Sequence, residues 1–537
     1  MSHRLTRKRQ RDQEAIARWR TYPDSLFKQI GITREALEQA QQGFQGPIYV
    51  PGDPGYNAGG LLSNARFTPK PWVILMCQCE SDAQIALNLA WGGPANTPFT
   101  VLSGGHCTAG FSATNGMLID VSALNTVTVD LASQTAVIGT GCNFGTLFAA
   151  LDPYGLHVPG GECAEVCIGG YMQGGGQGFT SRTYGMHCDN VLEVRVLLGD
   201  GSIVTANATQ NEELWWAVRG GTGGNFGILL TEKVRLYPLT DVYGWAVRWP
   251  LLQESDRANA AEALYMLQKE YMLTAPPELN PQVMICYQGA DAGTFLPYLM
   301  IRGLDTRGAG VGQAVYQQFG ALPGAEMQYD VTDRFIKVNT QLLESPNEIP
   351  QLPTNPWPPE DKQARYVSMN LSVQQWQSLL DFYMTAPNQP NQYSYICLEL
   401  YGGAMNSYPI EDSAFIHRTS QFSAFMDVFW YDDQQQQQAE AFLARWCLFM
   451  DENFANGEVY QNYPHLDVID YRRSYWGQAF NGLLAVKRKY DPQNFFSFPQ
   501  MVSPYPDGRA TDAIWPPKIA ESLKKPIVRD TPPRKSA

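Results

Sequence analysis

Three segments dense in glycine constrain this chain most: LSGGHCTAGFS (102–112), PGGECAEVCIGGYMQGGGQGF (159–179) and RGGTGGNFG (219–227). Glycine reaches φ > 0 without a Cβ clash and lets backbone N–H groups approach an anion closely. Any one segment is explained equally well by a tight turn or bulge. Three in one stretch admit a nucleotide cofactor cradled by turns. None is followed by Lys-Ser or Lys-Thr, which excludes a Walker P-loop. GGGQGF is not followed by a βαβ unit with a spaced acid, so it only loosely evokes the dinucleotide fingerprint.

The texture around these turns predicts an α+β fold. Residues 1–45 read as helical, with Thr33 a capped start ahead of a Glu/Ala/Leu run. From 46 to 240 short β-branched runs alternate with glycine, and Asp200-Gly201 reads as a hairpin turn. Helical pieces fall at Ser81–Ala90 and Asn211–Val218. From 241 to 470 longer helices alternate with strands, interrupted by a proline-rich surface loop, Glu348–Glu360. A segment at 471–505 and an extended tail at 506–537 complete the chain.

Charge and composition exclude several classes. A net charge of −13 lacks the clustered cations that a phosphate backbone needs, so no nucleic-acid partner is expected. No apolar run reaches 18 residues, so no membrane span is expected. The N-terminus is charged throughout, with no apolar stretch of signal-peptide type, and the expectation is a cytoplasmic protein with ten reduced cysteines. Cys77 and Cys79 read as strand packing, since no second pair sits at zinc-site spacing, and no metal site is expected.

The glycine segments together resemble the berberine-bridge-enzyme-like branch of the vanillyl-alcohol-oxidase, or PCMH-type, flavoproteins. Ser103-Gly104-Gly105-His106 resembles that branch's S-G-G-H, and Cys163 falls at the Cys of its G-x-C-x-x-V-G-x-G-G. NEELWWAVRGGTGGNFGI (211–228), YQNY (460–463) and YWGQAFNGLLAVKRKYDPQNFF (475–496) follow in the family's order. The resemblance spans about 45–505. It implies a two-part FAD-binding domain of PCMH type at 46–240, a substrate domain at 241–470 built on an antiparallel sheet covered by helices, and 471–505 returning to the FAD domain.

The same resemblance implies FAD held covalently, by His106 at the 8α-methyl and by Cys163 at C6. Cys167 is a rival for the thioether, but Val166 and Gly169-Gly170 fall in register with Cys163. The cofactor cradle implied is Ser103, Gly104, Gly105, Gly169, Gly170, Gly174, Gly175, Asn225, Gly227 and Asn494. Tyr460 is implied as the base, Glu399 as its relay or a substrate ligand on the strand roofing the pocket, and Val166 as a permissive oxygen gate. Leu102 replaces the family's usual Arg, Cys167 its usual Gly, and Gln177 stands where some plant members place a Tyr. The expected function is an FAD-dependent oxidase of secondary metabolism. It takes a hydride from an alcohol, hemiacetal or amine carbon and passes electrons to O2. The alternatives are a sugar oxidase and a dehydrogenase with another acceptor. Read without the resemblance, His106 is a turn histidine and Cys163 a buried thiol.

Overall fold

The computed structural model of the protein describes residues 2–58, 61–92, 98–291, 294–344, 358–387, 392–504 and 514–534. Three helices, Ser2–Trp19, Asp24–Ile30 and Arg34–Gly43, open the fold. The Thr33 hydroxyl accepts the Ala36 N–H at 3.1 Å, which satisfies one orphan donor of the third helix. The helices bury Trp19, Leu37 and Phe44 in a core shared with a four-stranded sheet. In that sheet Val73–Met76 and Phe99–Leu102 flank Met117–Asp120 in parallel. The helix Glu80–Gly92 lies between the first two in sequence, as a parallel connection requires.

A five-stranded antiparallel sheet follows, in the spatial order Val127–Asp130, Thr135–Gly139, Ile228–Arg235, Val191–Leu197, Ile203–Asn207. Asp200-Gly201 turns its hairpin, with Gly201 at φ +82°. The third sheet has seven strands, all antiparallel. Four of them, Leu279–Asp291, Gln392–Leu400, Phe422–Trp430 and Glu360–Val367, lie side by side and carry most of the site.

Strand alternation decides what each face of this sheet does. In Gln392–Leu400, Ile396, Leu398 and Leu400 enter a core with the helices Glu254–Leu267, Val373–Tyr383 and Asp433–Asn453. The intervening Tyr393, Cys397 and Tyr401 belong to a different core, shared with the five-stranded sheet and the glycine-rich turns. One face is covered by helices and the other faces the turns.

The C-terminal segment ties the two parts together. Helix Phe480–Tyr490 packs on helix Glu212–Val218. Lys487, fully buried, donates to the Asn225 and Phe496 carbonyls and to Asp491, each at 2.7 Å. One sequence reading falls largely outside the described residues and another changes. Residues 348–357 of the proline-rich stretch lie outside the described residues. The tail is not merely extended, because 514–534 docks: Ile519 is fully buried, the Asp530 N–H bonds the Ile203 carbonyl, and Asp530 pairs with Arg195. Its few apolar residues are spaced too widely to show as a helical face, yet they fill gaps left by helix Glu212–Val218. No helix among the described residues is long and apolar enough to cross a membrane.

Lys487→Met would strand Asp491 and two buried carbonyls without a donor. The expected loss is about 3–5 kcal/mol of stability, read as a fall in the urea midpoint. An unchanged midpoint would mean water replaces the ammonium.

Candidate functional site

The three glycine-rich turns meet. The Gln173 carbonyl accepts both the Gly220 and Thr222 N–H groups, at 3.0 and 2.9 Å. Phe498 lies 5.7 Å from the Phe111 ring, and a Cβ on Gly224 would sit 3.6 Å from it. Segments 102–112, 159–179, 219–227 and the stretch after Asn494 therefore surround one region.

Glycine is required where the turns interlock. Gly105 adopts φ +74°, and a Cβ there would fall 2.2 Å from the Leu61 carbonyl oxygen. On Gly174 a Cβ would meet Asn462 Oδ1 at 2.0 Å, so the YQNY turn can close only over a bare backbone. Gly104, Gly169, Gly175 and Gly227 are similarly tight, against Cys167, Thr140, Phe415 and Val196. Gly170 differs: a Cβ there would meet nothing within 4 Å, so its backbone borders open space. The Asn225 side chain is spent inside the protein, donating to the Gly221 carbonyl and accepting from the Val502 N–H. Its part in a cradle is to shape the turn.

Buried polar atoms without a donor or acceptor partner test whether a cofactor fits. Ser112 Oγ, Thr222 Oγ1 and Asn494 Oδ1 are three such atoms among the described residues, two in the glycine segments and one in the closing segment. Buried polar groups are normally satisfied. Three orphans around one convergence of turns fit a polar group such as a nucleotide. These residues suit FAD.

His106 and Cys163, far apart in sequence, feel the same charges. Burial lowers the His106 imidazole below its usual value, with Glu165 opposing and Lys362 adding to the effect. The ring is neutral at pH 7, with a lone pair free. Burial pushes the Cys163 thiol up to about 12, with Glu165 and Glu162 adding to it and Lys362 and Arg302 opposing. Cys167 packs against Gly104, with its Sγ donating to the Gly141 carbonyl at 3.3 Å, and Asp120 is the charge it feels. Val166 packs partly buried against the main core, its carbonyl accepting the Phe144 N–H.

The facing sheet supplies side chains that no motif revealed. Lys362, on the edge strand, pairs with Asp427 at 2.5 Å and lies over the Phe425 and Tyr463 rings at 4.8 and 4.9 Å. Burial opposes its charge, but Asp427 and Glu360 outweigh that and hold the ammonium above its ordinary range. Glu360 is raised to about 8 by burial and by Asp427. The signal for these residues was present in EDKQARYV, which is polar on both faces of a strand. Alone it reads only as a solvated edge.

Tyr460 and Glu399 both reach this region but do not touch. The Tyr460 oxygen accepts the Gly176 N–H and Asn462 Nδ2, each at 3.0 Å. Burial raises its phenol above the usual range, Glu399 adds to that, and those two hydrogen bonds oppose it. Glu399 instead accepts from Tyr463, at 3.0 Å. The Tyr460 and Tyr463 rings meet edge to face at 5.0 Å. Glu399 is raised to about 8 by burial, with the Glu162 charge adding. Among the described residues no cluster of three or more His, Cys, Asp or Glu could hold a metal.

Comparison with known proteins agrees with this geometry. Two family models match: FAD binding domain over residues 73–207, and berberine and berberine like over 459–503. An FAD-linked oxidoreductase of Bacillus subtilis, YvdP, is 29% identical over 86% of this chain and 98% of its own. A carbohydrate oxidase of Microdochium nivale is 26% identical over 88% and 96%. The structure of Physcomitrella patens BBE-like 1 superposes with a TM-score of 0.75 at 25% identity, covering 88% of this chain and all of that one.

A carboxyl raised on folding binds its proton more tightly in the native state, so its stabilising contribution is full below the unfolded value and fades as pH rises toward the folded one. Glu399 goes from 4.5 to about 8. The stability of wild type relative to Glu399→Gln should therefore fall by roughly 4 kcal/mol between pH 4.5 and 8. Parallel denaturation curves across that window would place Glu399 in an ordinary solvated setting.

Proposed function

This chain belongs to the berberine-bridge-enzyme-like FAD-linked oxidoreductases, and from that premise we propose that it is an oxidase whose flavin is tethered at both His106 and Cys163. The observation that carries the reading is the shared setting of these two residues. The charges of Lys362 and Glu165 act on both, whereas Cys167 bonds the Gly141 carbonyl and is acted on by Asp120. Cys163, not Cys167, is accordingly the thioether partner. Bound there, FAD supplies a two-electron acceptor for a hydride and passes the electrons on to O2, giving H2O2.

The protein's own work is to orient the substrate and handle its proton. The sheet face with Glu399, Tyr463 and Lys362 closes the side opposite the glycine turns and excludes water. A tyrosine of the YQNY turn takes the proton from the substrate's hydroxyl or amine, and the resemblance implies Tyr460. Two N–H donors fix its oxygen and favour the phenolate against burial. Val166 leaves the flavin edge open to oxygen. The substrate is an alcohol, hemiacetal or amine of secondary metabolism. A carbohydrate oxidase is the second reading, favoured by the similarity to the Microdochium nivale carbohydrate oxidase over 88% of this chain.

Acid precipitation tests the tethers. The wild-type pellet should stay yellow, His106→Ala and Cys163→Ala should each retain flavin, and the double variant should release it all. A wild type that releases its flavin freely overturns the reading. With a substrate found by screening sugars, aromatic alcohols and amines for H2O2 release, Tyr460→Phe should slow anaerobic flavin bleaching by about 10²–10⁴-fold. A smaller effect than in Tyr463→Phe would move the base to Tyr463.

A further inference from the structure

Between the sheet and the segment 162–182 lies a small polar cavity with room for water rather than for a second ring-sized ligand, lined among others by Glu162, Gln177, Gln282 and Glu399. Gln282 stands opposite Glu399 in the strand register. Its amide donates to Glu162 Oε1 at 2.7 Å, while its oxygen accepts Arg302 Nε at 2.8 Å. Gln282 thus fixes Glu162 beside Glu399. On the far side, Glu399 Oε1 holds the Tyr463 hydroxyl.

Two acceptors at the cavity are left over. Glu399 Oε2 and Gln177 Oε1 have no well-formed hydrogen bond among the described residues, the Gln177 amide being near enough only to moderate the Glu399 carboxyl, and the two residues are only 9% and 8% exposed. Bare acceptors sharing one enclosure are satisfied when the carboxyl carries a proton or a water donates to them. Burial raises Glu162 as it raises Glu399, and the Glu162 charge adds to the rise in Glu399, while Arg302, the Gln282 hydrogen bond and Lys362 oppose the rise in Glu162. The remaining charged and titratable groups facing the pair are Lys362 and Arg302, each two strands away from the Glu399 strand, Cys163 beside Glu162, Cys397 on the Glu399 strand, and the buried phenols Tyr171, Tyr366, Tyr401 and Tyr460. The two cations oppose the buildup of negative charge, though Lys362 is partly neutralised by Asp427. Two carboxyls enclosed this way do not both ionise readily near pH 7.

We propose that Glu162 and Glu399 hold one proton between them across this cavity, and that with Tyr463 they carry away the proton released in substrate oxidation, Glu162 being its terminal acceptor. The proposal rests on the oxidase reading above. Tyr463 gives its phenolic proton to Glu399 as the proton already on Glu399 crosses the cavity water to Glu162. The Tyr463 oxygen then takes up the phenolic proton of Tyr460, whose ring lies against it. Tyr460 in turn receives the proton released from the substrate, and FAD bound at the site would take the C–H electron pair as hydride. Re-oxidation by O2 consumes both electrons, the hydride's proton and the stored proton, and yields H2O2. Glu162 and Glu399 act here as positioning and proton-holding residues; neither needs to touch the substrate carbon.

The test uses the holoenzyme and no substrate. Infrared titration of wild type should show protonated-carboxyl absorption near neutral pH that shifts in D2O, and Glu399→Gln should remove the Glu399 component while leaving that of Glu360. In Glu162→Gln the Glu399 component should titrate about one pH unit lower or more, because the like charge is gone. A purely structural role for Glu162 would not move that titration. On the photoreduced enzyme, re-oxidation by O2 should slow in D2O, and Glu162→Gln should slow it by about tenfold or more. A carboxyl titration unchanged in Glu162→Gln overturns the shared proton, and equal re-oxidation rates overturn the relay. Each single variant leaves the other carboxyl as a reporter, so one misfolded variant does not end the test. Acid precipitation of the same samples separates the two claims: a yellow wild-type pellet with an unchanged titration sinks the relay alone, whereas a colourless one sinks the oxidase reading.

Discussion

The site depends on a clasp between backbones. One carbonyl, that of Gln173, receives two N–H groups from the RGGTGG turn, and nothing larger than a hydrogen fits at the contacts around it. Gly174 meets the side-chain amide of Asn462 and Gly105 meets the Leu61 carbonyl. Hydrogen bonds at such short approach are available only to a chain stripped of Cβ atoms. Lys487 then locks the clasp from behind by satisfying carbonyls from the turn and from the closing segment at once. This explains why segments hundreds of residues apart carry one function.

Opposite the clasp, the seven-stranded sheet behaves as a two-faced wall. Its helix-covered face is apolar, as burial under helices demands. Its other face carries Lys362, Asp427, Glu360 and Glu399, a density of ionisable groups that is costly away from water. A buried ion pair adds little net stability, since desolvation offsets most of the Coulomb attraction. Lys362 and Asp427 are therefore better understood through what they do to their surroundings. The ammonium moderates the buried carboxyls and the Cys163 thiol, and its position over the Tyr463 ring holds that phenol toward Glu399.

Electrostatics and geometry together separate the two tyrosines of YQNY. Tyr460 is gripped by donors and lies in the core, while Tyr463 is partly buried and bonded to a carboxyl. Two similar side chains three residues apart thus receive opposite hydrogen-bonding roles. The division follows from the turn: Asn462 bonds both Tyr460 and the Tyr171 carbonyl, which aims the two rings at right angles to each other.

Sequence by itself determined the local elements and the motif residues. Thr33 reads as a cap because its hydroxyl acts within its own turn, and Asp200-Gly201 as a hairpin because the turn's φ is a property of that dipeptide. The glycines were legible because close backbone approach restricts residue type at each position, whereas His106 and Cys163 were read only through the resemblance of the turns that carry them. Tertiary structure alone decided the rest. Glu162, Lys362, Asp427 and Tyr463 lie on different segments, and none has a local signature. Their meeting depends on strand register, since Gln282 faces Glu399 and Asp427 faces Lys362 only after four strands have paired. The docked C-terminus is of the same kind: its few apolar residues find their partners only on a surface that the rest of the chain has already built.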